Sequence, residues 1–136
     1  MKYFTISDML RSDTAIKQKI WNGANLEVEE NLRFLIEQVL DPLQEKYKKP
    51  IHVTSGYRCP YLNRILGGSI NSQHMSGEAA DITTGNPDEN FKLGQMIEAL
   101  GKFDQLIYED CDKGKPKWIH VSCRRHGLNR KMILYK

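Results

Sequence analysis

Three short segments of the chain concentrate polar residues of the types that do chemistry. They are SGYRC (Ser55–Cys59), SQHMSGEAAD (Ser72–Asp81) and KWIHVS (Lys117–Ser122). In the second segment, His74 and Asp81 lie too far apart to be neighbours on one helix, where side chains pair at a spacing of three or four. They converge if a glycine turn at Gly77 folds the loop back onto the strand that carries Asp81.

A second imidazole comes from a short apolar strand. His120 lies between Ile119 and Val121, and strand alternation places it on the same face as Trp118 and Ser122. A buried imidazole without a polar partner costs roughly 1–3 kcal/mol. We therefore expect His120 to meet a polar group from another segment.

Two imidazoles and one carboxylate are a normal donor set for a catalytic zinc ion, which keeps its fourth position for water. The set contains nitrogen and oxygen donors and no thiolate, which suits zinc and leaves other divalent metals open. A single histidine is more often a core or surface residue than a ligand. The three residue types alone are therefore a weak signal for a metal site.

The pattern around these residues resembles that of a known peptidase family. Ser72-x-His74-x-x-Gly77-x-Ala79-x-Asp81, followed by Trp118-x-His120, is similar to the M15 family of zinc D-Ala-D-Ala peptidases. Within that family it resembles the short members of phages and prophages, which act as wall-lytic enzymes. The blocks SGYRCPYLN and FDQLIYE resemble the same group, so the similarity runs from about Pro50 to Ser122.

The resemblance implies a fold, a cofactor and a substrate class. The family shares its fold with hedgehog signalling domains and VanX-type dipeptidases, which implies an α+β structure with an antiparallel sheet packed against helices. It implies that His74, Asp81 and His120 bind one Zn²⁺. It also implies a peptidoglycan stem peptide as substrate, with a D-residue near the scissile bond, and leaves open whether the enzyme is a carboxypeptidase or an endopeptidase.

Arg58 is the next residue that we expect in the site. Its guanidinium is a planar fork matched to a carboxylate or to a developing oxyanion. In the family, the arginine of the SGYR block faces the metal and helps to hold the substrate or its transition state; the alternative is a surface salt bridge. Ser72 and Gln73 are expected to hydrogen-bond the substrate or to orient the metal ligands, with simple loop formation as the alternative.

The catalytic base is the point at which the sequence departs from the family. Many relatives carry an acidic residue three positions before the last histidine ligand, and Lys117 stands there in this chain. A lysine accepts a proton from water only if burial strongly lowers its pKa. Glu109 is the predicted replacement, because a hairpin through CDKGKP would place it opposite Trp118. The less favoured carboxylates are Asp104, Asp110 and Glu78.

The same departure keeps a different class of function open. Hedgehog-like domains use this zinc fold largely as a binding or structural module. The alternative prediction is therefore a non-catalytic zinc-binding module that acts in cell-wall binding or as a structural protein, and a metal-free scaffold is a third possibility.

The elements that position these residues follow from the apolar pattern. A helical period runs from about Glu27 to Lys48 and is broken by Pro42, which predicts a kink or a restart. Shorter helices are predicted from Ser7 to Leu10, from Pro60, and after Asn86-Pro87, where Phe91, Leu93, Met96, Ile97 and Leu100 form the inner face. Strands are predicted at Ile51–Ser55, Ala79–Thr83, Gln105–Glu109, Trp118–Ser122 and Lys131–Tyr135.

Length and composition place the chain among ordinary globular proteins. Its 136 residues predict one domain, with a helical part at 1–49 and a metal-site core at 50–136. The net charge of +3 is too small to indicate nucleic-acid binding, and the apolar runs fall short of the roughly 20 residues that a membrane span needs. We expect a monomer. The basic C-terminal residues are expected to be a solvated edge, with attraction to an anionic polymer as the alternative; they are Arg124, Arg125, Arg130, Lys131 and Lys136.

The N-terminal stretch bears on where the protein acts. It has a lysine but no apolar core of about 7–15 residues behind it, so it does not read as a signal peptide. We therefore expect cytoplasmic synthesis and action at the cell wall after a phage-type release, or a leader that this chain lacks.

Overall fold

The computed structural model describes residues 1–136 as helices packed against a five-stranded sheet. The α-helices are α1 (Ile6–Leu10), α2 (Asp13–Gln18), α3 (Leu26–Leu35), α4 (Asp41–Tyr47), α5 (Pro60–Ile65) and α6 (Pro87–Leu100). A π-helical segment covers Ile36–Leu40 and a 3₁₀ turn covers Gln73–Ser76. The strands are β1 (His52–Ser55), β2 (Ala79–Thr83), β3 (Gln105–Glu109), β4 (Trp118–Ser122) and β5 (Met132–Tyr135). None of the helices combines the length and the apolar character that crossing a membrane requires.

The sheet has the strand order β1-β2-β4-β3-β5, which confirms the predicted α+β class. The pairs β1–β2, β2–β4 and β3–β4 are antiparallel, as expected. The β3–β5 pair is parallel, so the sheet is mixed. The reason is that the chain leaves β4 beside the beginning of β3, crosses that end of the sheet, and enters β5 there. Sequence patterns do not reveal on which side of β3 the last strand lies.

Side-chain alternation divides the sheet into an apolar face and a polar face. The apolar face is buried in the hydrophobic core, which it shares with α6 and with the long helix formed by α3, the π-helical segment and α4; its residues are Ala80, Ile82, Leu106, Tyr108, Ile119 and Val121. The polar face carries the alternate residues of the same strands, and these residues line a cleft; they are Asp81, Gln105, Ile107, Glu109, Trp118 and His120. Alternation therefore places the site residues of β2, β3 and β4 on the same side of the sheet.

The long helix contains the interruption that Pro42 predicts. The break takes the form of a wide turn, in which the N–H of Asp41 donates to the carbonyl of Ile36, five residues earlier. Such π-helical turns are a common way to fit a residue that cannot donate its own N–H. The helix thereby keeps its apolar stripe buried on both sides of the proline, from Leu32 to Leu43.

Three features of the helices differ from what the sequence predicted. The first helix is capped by Thr5 rather than Ser7, because Thr5 and Asp8 exchange side-chain and backbone hydrogen bonds in a capping box. Helix α2 was not predicted, since its six residues show too short an apolar pattern. On α6, Leu93 and Ile97 are buried as expected, whereas Phe91 is 37% exposed.

Gly94 of α6 generates a prediction about packing against the sheet. A Cβ at this position would lie 2.2 Å from a ring carbon of Tyr108, which is fully buried and stacked on Tyr135. Gly94→Ala should therefore lower the free energy of unfolding by roughly 1–3 kcal/mol, although alanine is the better helix former. Chemical denaturation measures this, with Ala99→Ser at an exposed position of the same helix as the control. Equal or higher stability of Gly94→Ala would contradict the tight contact.

Candidate metal centre

The first two residues of the site face each other across neighbouring strands. Asp81 of β2 pairs directly with His120 of β4 in the antiparallel register. The imidazole Nδ1 of His120 lies 3.0 Å from Oδ1 of Asp81. The polar partner that His120 requires within its apolar strand is therefore the carboxylate of Asp81.

The third residue arrives from the 3₁₀ turn. The Ser72 hydroxyl accepts a hydrogen bond from the N–H of His74 at the start of the turn, and Gly77 ends it at φ +77°. A Cβ on Gly77 would also lie 2.7 Å from the carbonyl oxygen of Val28, so both backbone conformation and space require glycine. The turn brings Nε2 of His74 to 3.3 Å from Oδ2 of Asp81. The glycine turn is thus present as predicted, and the segment expected as loop is a 3₁₀ turn.

His74, Asp81 and His120 form one compact donor cluster. One donor atom from each lies within 4.8 Å of the others, and the two imidazole rings meet edge to face at 5.1 Å between centroids. His74 and Asp81 are buried, and His120 is half-buried at the floor of the cleft. The structure therefore brings together the three residues that the sequence motif singled out.

The hydrogen bonds behind His74 fit a metal ligand. Its Nδ1 lies 2.7 Å from the carbonyl oxygen of Gly56, which can only accept, so Nδ1 carries the proton and Nε2 presents its lone pair to the site. The N–H of Arg58 in turn donates to the carbonyl of His74 at 3.0 Å. A Cβ on Gly56 would lie 2.3 Å from the carbonyl oxygen of Met9, so helix α1 packs directly behind this support.

Arg58 lies beside Asp81 and is committed to protein acceptors. Its Nε donates to the Ser55 hydroxyl at 2.9 Å, Nη1 to Oδ1 of Asn63 at 3.3 Å, and Nη2 to Oδ2 of Asp81 at 3.2 Å. The side chain is only 14% exposed. Arg58 is therefore a half-buried arginine that faces the donor cluster, and the surface salt bridge is excluded.

The groups around Asp81 control its charge. Burial by itself raises the pKa of this carboxyl, but the hydrogen bond from Nδ1 of His120 and the closeness of His74 outweigh burial and hold the pKa well below its usual range. Asp81 is consequently ionised at neutral pH. An anionic oxygen and two imidazole nitrogens are then available at one point, which is the donor chemistry that zinc takes in proteins.

The donor cluster opens into a cleft of about 640 Å³, within the usual range for ligand pockets. Arg58, Ser72 and Gln73 line it together with the three donors, as does Glu109. Ser72 serves mainly to cap the turn that carries His74, whereas the amide Nε2 of Gln73 donates to Asp104 at 3.0 Å. All the residues proposed for the site from sequence therefore lie in one cleft.

Glu109 is the cleft's second carboxylate. It pairs with Trp118 across the β3–β4 ladder, as the hairpin predicted. Burial raises the pKa of its carboxyl, and the carboxylate makes no hydrogen bond or ion pair with the protein. Lys117, at the position where relatives carry an acid, instead pairs with Asp110 at 3.1 Å, and neither residue lines the cleft.

With this geometry established, the comparison with known families identifies the chain. The family model for Peptidase M15 matches residues 2–122, nearly the whole length. The chain belongs to the M15 peptidase family. No curated protein sequence matches it. Membership implies that the substrate of this M15 peptidase is a peptide, and it agrees with the resemblance of the Ser72–Asp81 motif. The match also includes the helical N-terminal part, which the motif does not reach.

A buried group that the sequence did not indicate bonds to residues that line the cleft of this peptidase. Asp104, considered only as a weak base candidate, is fully buried, and its carboxylate accepts hydrogen bonds from Gln73 and from Arg130. Arg124 lies 3.3 Å from the same carboxylate. Arg124 and Arg130, expected to be part of a solvated edge, line the cleft. The sequence contains no local signal for this group, because Asp104 and the two arginines meet at one end of the sheet but are about 20 to 26 residues apart in the chain.

Asp104 provides a test by pH. Burial raises its pKa, but hydrogen bonds from Arg130 and Gln73 outweigh burial and hold the pKa at about 2, below the ordinary 3.8. A depressed pKa stabilises the fold above pH 4, and the stabilisation disappears as pH falls through 2. The stability gap between wild type and Asp104→Asn should therefore shrink by about 2 kcal/mol between pH 5 and pH 2. Urea unfolding at a series of pH values measures it.

The control for this experiment is Asp13→Asn. Asp13 is exposed and pairs only with Arg11, and exposed ion pairs contribute little to stability. This variant should stay close to wild type at every pH. A gap for Asp104→Asn that does not change with pH would contradict the assignment.

Proposed function

We propose that this M15 peptidase is a zinc-dependent hydrolase of peptidoglycan stem peptides, acting as a D-Ala-D-Ala carboxypeptidase or a related endopeptidase of the phage and prophage wall-lytic type. The observation that carries the proposal is the composition of the cleft. Three zinc-type donor atoms and one unengaged carboxylate, that of Glu109, line the same cavity. The resemblance of the Ser72–Asp81 motif supports the substrate class.

His74, Asp81 and His120 are the proposed zinc ligands. The tautomer of His74 is set by Gly56, and the carboxylate of Asp81 is kept ionised, so the donors are prepared for a cation. A zinc ion held by these three residues would supply Lewis acidity toward the peptide carbonyl and would lower the pKa of a bound water toward about 7. The remaining steps depend on the chain's own residues.

Glu109 is the proposed general base. Its carboxylate accepts the proton of the attacking water and then delivers it to the leaving amine. Its raised pKa makes it a stronger base than an exposed glutamate, and it has no protein partner from which it must be freed. The departure at Lys117 therefore does not deprive the cleft of an acid, which favours the hydrolase over the non-catalytic zinc-binding module.

Arg58 is proposed to act chiefly by holding Asp81 in place and by adding positive charge beside the reacting carbonyl. All three of its guanidinium nitrogens donate to protein groups. This supports a positioning role for Arg58 over direct contact with the substrate. Ser72 is proposed to orient His74 through the 3₁₀ turn, and Gln73 to join the turn to the wall of the cleft.

Zinc binding is tested without reference to activity. The chain should bind one zinc ion, and His120→Ala should weaken that binding by at least about tenfold, because one of three protein ligands is lost. Titration with zinc and metal analysis after dialysis measure this. His52→Ala is the matched control, since His52 is exposed on β1 and outside the cleft. Unchanged zinc affinity in His120→Ala would contradict the ligand set.

Hydrolysis is tested at Glu109. Glu109→Gln should retain zinc and lose turnover by roughly 100-fold or more, because the amide cannot accept a proton. Asp110→Asn, an exposed neighbour outside the cleft, is the control and should keep wild-type turnover. Digestion of purified peptidoglycan, with the new termini identified by mass spectrometry, measures cleavage and distinguishes a carboxypeptidase from an endopeptidase.

The pH profile gives a second measurement on the same residue. A base works only when it is ionised, so the rate should fall at acidic pH as Glu109 becomes protonated; burial raises the pKa of this carboxyl, and a zinc ion in the cleft would oppose that rise. Glu109→Asp should retain activity, with the acidic limb of its rate profile at a different pH from that of wild type. Full activity in Glu109→Gln would assign proton transfer to another group, and zinc binding without any cleavage by wild type would favour the non-catalytic module.

A further inference from the structure

Two arginines of the cleft have no part in the proposed hydrolysis. Arg124 and Arg130 lie in the segment that crosses from β4 to β5, and both line the cleft that holds the donor cluster. Arg124 is 37% exposed and Arg130 is 43% exposed, so each presents part of its side chain to solvent. They form one basic wall of the cavity.

Asp104 holds this pair in position. Arg130 donates to its carboxylate through Nε at 3.0 Å, Nη2 at 2.7 Å and the backbone N–H at 2.9 Å. Arg124 reaches the same carboxylate through Nε at 3.3 Å. One buried anion between two guanidinium groups leaves the wall with a net positive charge, and the anion reduces the freedom of both side chains.

The arginines retain donors that the protein does not use. Nη1 of Arg130 and both Nη atoms of Arg124 have no acceptor in the protein. Arg58, by comparison, has committed every nitrogen to Ser55, Asn63 or Asp81. The Arg124–Arg130 pair is therefore where whole guanidinium nitrogens in this cleft have no protein acceptor.

We propose that Arg124 and Arg130 bind a carboxylate of the peptide substrate and so determine which peptides are cleaved. A guanidinium fork matches a carboxylate with two parallel hydrogen bonds, and an arginine already held by a buried anion loses little further freedom on binding. The inference rests on the proposed peptidase function, which supplies the substrate class. Stem peptides offer two sources of a carboxylate, the C-terminus and an acidic side chain.

Direct binding tests the proposal independently of catalysis. Three analogues of a stem peptide, each with its scissile amide reduced so that it cannot be cleaved, are titrated into the zinc-loaded chain by calorimetry. One has all carboxylates free, one has an amidated C-terminus, and one has amidated side-chain carboxylates. Loss of the recognised carboxylate should weaken binding to wild type by about tenfold or more. The amidated analogue that binds more weakly identifies which carboxylate the protein recognises.

Arg124→Gln is the main variant, because Arg130 remains to satisfy Asp104. This variant should bind the free peptide about tenfold more weakly and should bind the free and the amidated analogues with nearly equal affinity. Arg130→Lys, which keeps a charge next to Asp104 but loses the fork, should show a smaller change in the same direction. Arg125→Gln is the matched control, since Arg125 bonds to Asn31 and Glu27 outside the cleft.

The results separate two failures. If wild type binds the free and amidated analogues equally, or if Arg124→Gln weakens both to the same extent, the carboxylate site is wrong. If wild type discriminates between the analogues but does not cleave peptidoglycan, the binding inference holds and the proposed hydrolysis fails. In cleavage assays, Arg124→Gln should raise KM and leave kcat within about twofold of wild type. If Arg124 were merely structural, the variant would have a lower melting temperature and no selective rise in KM.

Discussion

The pairing of β2 with β4 is the constraint on which the rest of the site depends. In this register Asp81 faces His120, while Ala80, Ile82, Ile119 and Val121 turn to the opposite side and enter the core. A slip of one residue would exchange the two sets and would bury a carboxylate and an imidazole among apolar side chains. The hydrophobic effect that stabilises the core therefore also favours the register that places Asp81 and His120 at the cleft.

Two buried carboxylates organise the polar face, and the groups around them differ. Asp81 is surrounded by His74, His120 and Arg58, and its position makes it part of a donor cluster. Asp104 is surrounded by Arg124 and Arg130, and its position holds these two side chains of the β4–β5 segment in one wall of the cleft. A buried anion is costly unless cations or N–H groups meet it. Each of these anions therefore enforces the arrangement of the charged groups beside it.

Whether an acidic residue lines the cleft depends on the face of the sheet that it occupies, and not on its distance in sequence from His120. Lys117 stands three residues before His120 but lies outside the cleft, with its ammonium paired to Asp110. Glu109 is distant in sequence, yet antiparallel pairing with Trp118 places it on the same face as His120. An acidic residue on either neighbouring strand can therefore line the same cavity, provided that the register keeps it on the polar face.

Much of this protein can be predicted from its sequence where the signals are local. The apolar patterns of Ala79–Thr83, Gln105–Glu109 and Trp118–Ser122 predicted three strands with their ends, and the motif from Ser72 to Asp81 predicted the glycine turn and the residues that meet there. Tertiary structure alone decided the parallel pairing of β5, the buried anion at Asp104 and the two arginines that it holds in the cleft. The physical reason is that periodicity and turn chemistry act between near neighbours in the chain. The side of β3 on which the last strand lies, and the cations that reach a buried carboxylate, depend on contacts between segments that the sequence leaves far apart.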